Sequence, residues 1–322
     1  MSTTIDMKFR VGLGFISYSE LAGIDLTLEH TRGLLQRLGV DIDSQQPQHG
    51  VHDKWTLGND PSIKAPKNYV GMELMSPVLP FGERDPELKV IHALEALGQC
   101  GATVNQTCST RVHISFADNE EIPMERAEMI SIAAWYFERS VESLLPDHCW
   151  DYLERKSNRS NINLYELNAV EAWKAIRMCN DIRSLARLMC PVENGHGEDG
   201  DHIDPKYRVN LKGLDFKTIE FRYLPGCRAS WEVQDWINFV GWFVRASLSV
   251  DREALNNDAI PYFNLRLPPS DASDFKRFIG THAVQGGIHD FWWRLEMYKR
   301  DWQENSPNEA VSSPGRRIFV PF

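Results

Sequence analysis

The sequence predicts an α+β protein built on an antiparallel sheet, and three observations carry that expectation. Short period-two strands mix with long helical segments without a strict β-α-β rhythm. Two strands, 207–214 and 217–224, follow one another almost directly, as antiparallel neighbours can. No Gly-x-Gly-x-x-Gly or Walker-type loop is present, so the nucleotide cradles of doubly wound sheets are missing.

The first strand is "MKFRVGLGFISY" (7–18), where Phe9, Val11, Leu13 and Phe15 alternate on one face. Its other face carries Arg10, Gly12, Gly14 and Ile16, leaving two successive positions bare. Glycine adds backbone entropy cost and nothing to pack, so this bareness needs a reason. Leu26, Leu34, Leu35 and Leu38 predict a helix over 25–39 that stops at Gly39. A strand follows over 69–79. Asp85 as N-cap and Pro86 at the first helical position predict a helix over 85–101. The strand 110–116 precedes helices over 123–145 and 168–190. The acidic, glycine-rich 193–204 reads as a mobile loop. After the paired strands, helices are expected over 230–250, 270–282 and 289–304, and the apolar tail "SSPGRRIFVPF" is expected to dock.

The 322 residues suffice for one large domain or two ordinary ones. Composition is that of a globular protein, 42% hydrophobic and 25% charged, with a mean hydropathy of -0.39. Forty-five acidic against 35 basic residues leave a formal charge of -10, the opposite of a nucleic-acid binder. The sequence shows no run of about 18 apolar residues and no hydrophobic signal core in "MSTTIDMKFR". No membrane partner and a cytoplasmic location are therefore expected. Six cysteines without a Cys-x-x-Cys pair read as reduced thiols.

The strands share an unusual device, a polar face opposite an apolar one. Arg111, His113 and Ser115 alternate with Val112 and Ile114. Thr218, Glu220 and Arg222 alternate with Ile219, Phe221 and Tyr223, and Glu73 stands in the otherwise apolar "GMELMSP". A carboxylate there is costly to bury unless it is paired or holds a metal. Alternation alone can gather Glu73, Arg111, His113, Glu220 and Arg222 on one concave surface. It also admits plainer roles: cross-strand ion pairs for Glu220 and Arg222, a hydrogen-bonded His113, or Glu73 paired with Lys64 or Lys67.

In order along the chain, "KWTLGNDPSI", "VGMELMSPVL", "GATVNQTCSTRVHISF" and "RVNLKGLDFKTIEFRYLPG" resemble the amidoligase family of carboxylate–amine ligases. The resemblance covers about residues 7–245. It implies a glutamine synthetase-like fold, a curved antiparallel sheet forming an incomplete barrel with helices outside. The domain would span 1–255, with 256–322 as a C-terminal helical extension packed on it. It further implies that ATP phosphorylates a small-molecule or peptide carboxylate, and that an amine displaces phosphate from the acyl phosphate, with Mg²⁺ neutralising ATP oxygens. By the same resemblance Glu73, His113 and Glu220 would hold metal, and Arg222 would steady the transferred phosphate. Asp60 and Ser62 would shape the substrate side. Arg155, Lys156 and Arg159 are candidates for cofactor phosphate or a solvated turn, while Asn105 and Cys108 are expected to be structural.

The opening strand departs from the family pattern. Gly12 and Gly14 fall where two metal-binding glutamates are expected, and Arg111 stands where the first histidine of His-Val-His belongs. A guanidinium brings permanent positive charge where a cation would sit. Arg111 could pair with Glu73 or Glu220, and the glycines could leave a hollow for a ligand or a side chain; a shifted alignment would instead bring in an acid such as Glu20. Three readings follow. The chain is an ATP/Mg²⁺-dependent ligase with an altered metal site, in which Arg111 and Arg222 replace lost charge. Alternatively it is an inactive amidoligase-fold protein with a binding or regulatory role. In the third, it runs metal-independent chemistry on a carboxylate clamped by Arg111 and Arg222, with His113 as acid or base. The aromatic segments 230–250 and "FWWRLEMYKRDW" serve either a homo-oligomer interface or the core.

Overall fold

A computed structural model describes residues 6–19, 23–43, 53–116, 121–146, 149, 155–192, 203–213, 217–252, 255, 272–280, 288–305 and 316–317. Glu20, most of the 193–204 loop and most of the tail lie outside them. The described elements are mixed α and β, with an open antiparallel sheet. The chain divides into two compact units. A sheet unit comprises Asp6–Ala117, Tyr223–Asn238 and Ser306–Phe322; a helical unit comprises Met1–Ile5, Asp118–Arg222 and Phe239–Asn305.

In the sheet unit, β1 (Met7–Tyr18) is the central strand. It pairs antiparallel with β3 (Tyr69–Met75) on one side and β6 (Ser109–Phe116) on the other, while β2 (Thr56–Asn59) lies outside β3. Short strands β4 (Leu79–Pro80) and β5 (Thr103–Val104) pair with its ends, and β9 (Arg316–Arg317) pairs with β5. Phe9, Val11, Leu13 and Phe15 are all buried, as the alternation predicts. The 69–79 strand is interrupted between β3 and β4 at Ser76–Val78. Ser76 still accepts the Val11 N–H and donates its own N–H to the Val11 carbonyl, but Pro77 has no donor to extend the ladder. Helices α1 (Ile24–Arg37) and α2 (Arg84–Gln99) pack against each other. The α2 boundary differs slightly from expectation. Glu83 is its N-cap, so Asp85 and Pro86 both fall inside the first turn, where a missing donor costs nothing.

In the helical unit, α3 (Met124–Leu144) is the hub. The predicted 168–190 helix is two helices, α4 (Ala169–Arg177) and α5 (Ile182–Met189). The break is a capping box, in which Asp181 accepts the Ser184 N–H and the Ser184 side chain reaches back to the Asp181 N–H. The predicted 207–214 strand shrinks to β7 (Val209–Asn210), paired with β8 (Ile219–Pro225), which runs from this unit into the sheet unit. Helix α6 (Ser230–Ser249) starts in the sheet unit and ends in the helical one, followed by α7 (Ala272–Gly280) and α8 (Ile288–Asn305). Phe137, Phe239, Phe243, Phe275, Phe278 and Phe291 form a ring cluster joining α3 to these last helices. Much of the aromatic content thus serves the core, although Trp293 remains 65% exposed. No described helix is long and apolar enough to cross a membrane.

Candidate functional site

The register explains the bare face of β1. Gly12 lies opposite Arg111 on β6 and Met75 on β3, and Gly14 lies opposite Glu73. Directly opposed residues share a face, so alternation does gather Arg10, Glu73, Arg111 and His113 on one surface of the sheet unit. Over it folds the segment after β2. The Asp60 N–H donates to the Gly71 carbonyl, and Asn105 pins the segment by donating to the Lys64 carbonyl, 2.9 Å away. Asn105 also accepts from the Thr107 N–H and hydroxyl, a structural role that agrees with the sequence expectation.

This segment closes the face. Asp60 accepts the Ser62 N–H and hydroxyl with one oxygen and the Arg111 guanidinium, at 2.5 Å, with the other. Arg111 reaches Glu73 at 3.0 Å with its other terminal nitrogen. The space left by Gly12 is therefore occupied: a Cβ there would run into the Glu73 carboxylate. A Cβ on Gly14 would sit 2.9 Å from the Ser109 carbonyl oxygen and 3.1 Å from Ile63, while Gly71 lies directly beneath Ile63. The glycines form a floor on which Ile63, itself buried, and the Arg111–Glu73 pair rest.

Electrostatically the face is balanced. Asp60 and Glu73 meet the guanidiniums of Arg10 and Arg111, and Arg10 donates through Nε to the Ser76 carbonyl. Burial pushes Arg10 down to about 10, with Glu73 opposing that shift. His113 is half-buried opposite Arg10. Arg10 was visible in the alternation but was not singled out as a site residue; its signal was its place two residues before Gly12.

The remaining candidates lie in the helical unit. Glu220 is buried opposite Asn210, which donates to it at 2.7 Å, and Arg222 donates to its other oxygen at 3.2 Å. Arg155 is buried, and its carbonyl accepts from Arg208. Lys156 pairs with Asp204 at 2.9 Å, and Arg159 stacks over the Trp135 ring, 4.6 Å from its centroid. Sequence reasoning missed the centre of this basic group. Glu138 accepts from Arg208, Ser157 and the Arg159 N–H, while burial, opposed chiefly by Arg208, raises its carboxyl above the usual range.

Mg²⁺ requires hard oxygen ligands held open to it. Here Glu73 and Asp60 share the Arg111 guanidinium, and Glu220 is engaged by Arg222 and Asn210. Among the described residues no group of three His, Cys, Asp or Glu side chains is placed to hold a metal ion. These donors do not fit a divalent cation as arranged. Of the residues expected to meet cofactor phosphate, Lys156 is paired with Asp204 and the Arg159 guanidinium lies over the Trp135 ring.

A family model described as "Putative amidoligase enzyme" matches residues 20–244, more than two thirds of the chain. The match begins after β1, so the comparison at Gly12 and Gly14 rests on the strand itself. No curated protein matches the chain.

Proposed function

The chain belongs to the amidoligase family, and from that premise we propose that it is a member with a binding or regulatory role, in which the sheet face no longer supports magnesium-dependent phosphoryl transfer. One observation carries this reading: the Arg111 guanidinium lies between Asp60 and Glu73, at 2.5 and 3.0 Å. A cation approaching Glu73 would have to displace a permanent positive charge already paired in a largely desolvated place. With Gly12 and Gly14 contributing no carboxylate, the face has no spare negative charge to offer.

Family membership favours a second reading. In it the chain remains a carboxylate–amine ligase using ATP and Mg²⁺ through an acyl phosphate, and ligand entry rearranges Arg111. Calorimetric titration of ATP with Mg²⁺ into the full chain separates the two. No saturable, Mg²⁺-dependent binding is expected. Saturable binding that is lost in both Glu73→Gln and Glu220→Ala would overturn the proposal and restore the ligase.

A further inference from the structure

In the helical unit, one face of α3 carries polar groups at helical spacing: Glu128, Ser131, Trp135, Glu138 and Glu142. All but Glu142 are buried. The carboxylates of this stripe already have cationic partners. Glu128 pairs with Arg252 at 2.6 Å, and Glu138 and Glu142 share the Arg208 guanidinium. The middle of the stripe is different.

Three polar atoms there are sealed from solvent and have no hydrogen-bond partner among the described residues: Ser131 Oγ, Trp135 Nε1 and Arg159 Nη1. Ser131 is wholly buried and Trp135 is 1% exposed. A serine inside a helix commonly donates to the carbonyl four residues back, as Ser247 does to Phe243. Ser131 makes no such bond. A long helical side chain leans toward the preceding turn, which carries the Trp135 indole toward Ser131. The Arg159 guanidinium lies over the same indole, 4.6 Å from the ring centroid, so the three orphaned groups share one place. Buried polar groups left unpaired are costly, and a cluster of them calls for an occupant.

The donors set the chemistry of that occupant. Indole and guanidinium N–H groups only donate, and a hydroxyl can donate too, so the occupant must accept. Among the described residues the Arg159 guanidinium has no ion pair; Glu138 accepts its main-chain N–H instead, at 3.1 Å. Burial and then Arg139 lower the Arg159 pKa, against the pull of Glu138, Glu142 and Tyr136, as befits a cation short of negative charge. We propose that this place binds a chloride ion, held by the Ser131 hydroxyl, the Trp135 indole N–H and the Arg159 guanidinium. A monatomic anion accepts from several directions and needs room for a single atom. A water molecule would accept as well, but would leave the guanidinium uncompensated.

The test is thermal melting of the full chain at fixed ionic strength, with sodium chloride exchanged stepwise for sodium gluconate, whose anion is too large for the place. Fixed ionic strength holds screening constant. The melting temperature is expected to rise saturably with chloride, as a ligand that binds the folded state requires. Trp135→Phe keeps a ring beneath Arg159 and removes the N–H, while Ser131→Ala removes the hydroxyl. Each variant is compared with itself across the salt series, so a general loss of stability does not disturb the reading. Half-saturating chloride should increase at least about tenfold in Trp135→Phe, and less steeply in Ser131→Ala. A parent whose melting temperature shows no saturable rise with chloride overturns the proposal. A rise with unchanged half-saturation in either folded variant places the ion elsewhere and overturns it too. None of these outcomes bears on Mg²⁺-dependent ATP binding at the sheet face.

Discussion

At Gly14 the addition of one methyl group would press against the Ser109 backbone, at 2.9 Å from its carbonyl oxygen and 3.0 Å from its nitrogen. Backbone in a paired strand cannot swing aside, so Gly14→Ala is expected to cost about 1–3 kcal/mol. At Gly12 the obstacle is the end of the flexible Glu73 side chain, and Gly12→Ala should cost less while loosening the Arg111–Glu73 pair. Urea unfolding of the two variants measures the order, and a Gly12→Ala loss equal to that of Gly14→Ala would contradict the account. Arg111→Ala strands Asp60 and Glu73 as two carboxylates sharing one face. Some solvent reaches the trio, so the expected loss is about 2–3 kcal/mol, below that for fully buried pairs. An Arg111→Ala variant as stable as the parent would show that the closure adds nothing to stability.

Among the elements, the break between α4 and α5 is the most informative. A hydrophobic spacing carried through 168–190 reads as one helix because apolar periodicity does not register a cap in its middle. Asp181 followed by Ser184 was the local signal, and its two reciprocal hydrogen bonds start α5 anew. Asp181→Ala removes the cap and should lower stability, measured by urea unfolding. The Ser184 N–H that donates to it, helped by the Ser184 side chain, holds the Asp181 carboxyl below the usual carboxylate range. The cap therefore contributes stability above the unfolded pKa, and this contribution fades as pH falls through the lower folded value. The difference between parent and Asp181→Ala should shrink on acidification toward pH 3. A difference that grew instead would reverse the assigned sign.

Across the whole molecule, stability should decline at alkaline pH through buried thiols. Burial pushes Cys190 up to about 12, and Cys227, whose Sγ lies 3.0 Å from the Thr110 hydroxyl, well above its ordinary value. The native protein then holds a proton that the unfolded chain releases near pH 9. The stabilisation is complete below that pH and is lost as pH rises through the folded value. Each thiol adds a downward slope of about 1.4 kcal/mol per pH unit in between. Unfolding free energies at pH 8, 9 and 10 measure the slope, which Cys190→Ala should reduce by its share. An unchanged slope in that variant would refute the assignment.

Much of the local organisation was legible from sequence because it depends on neighbours along the chain. Alternation placed Arg111 and His113 on one face of β6 and Glu220 and Arg222 on one face of β8. Helical spacing placed α1, α2, α3, α6, α7 and α8 close to their bounds. Ordered motifs pointed to the amidoligase family before any coordinates. What partners these side chains take depends on strand register and on a segment folding back from elsewhere in the sequence. Glu73 pairs with Arg111 because β1 holds both flanking strands and brings positions 73 and 111 across Gly12. The bare glycines raised a question that alternation could state but not answer. Only the tertiary structure decided that Ile63 and an ion pair lie on them, because those contacts join residues 38 to 61 positions apart.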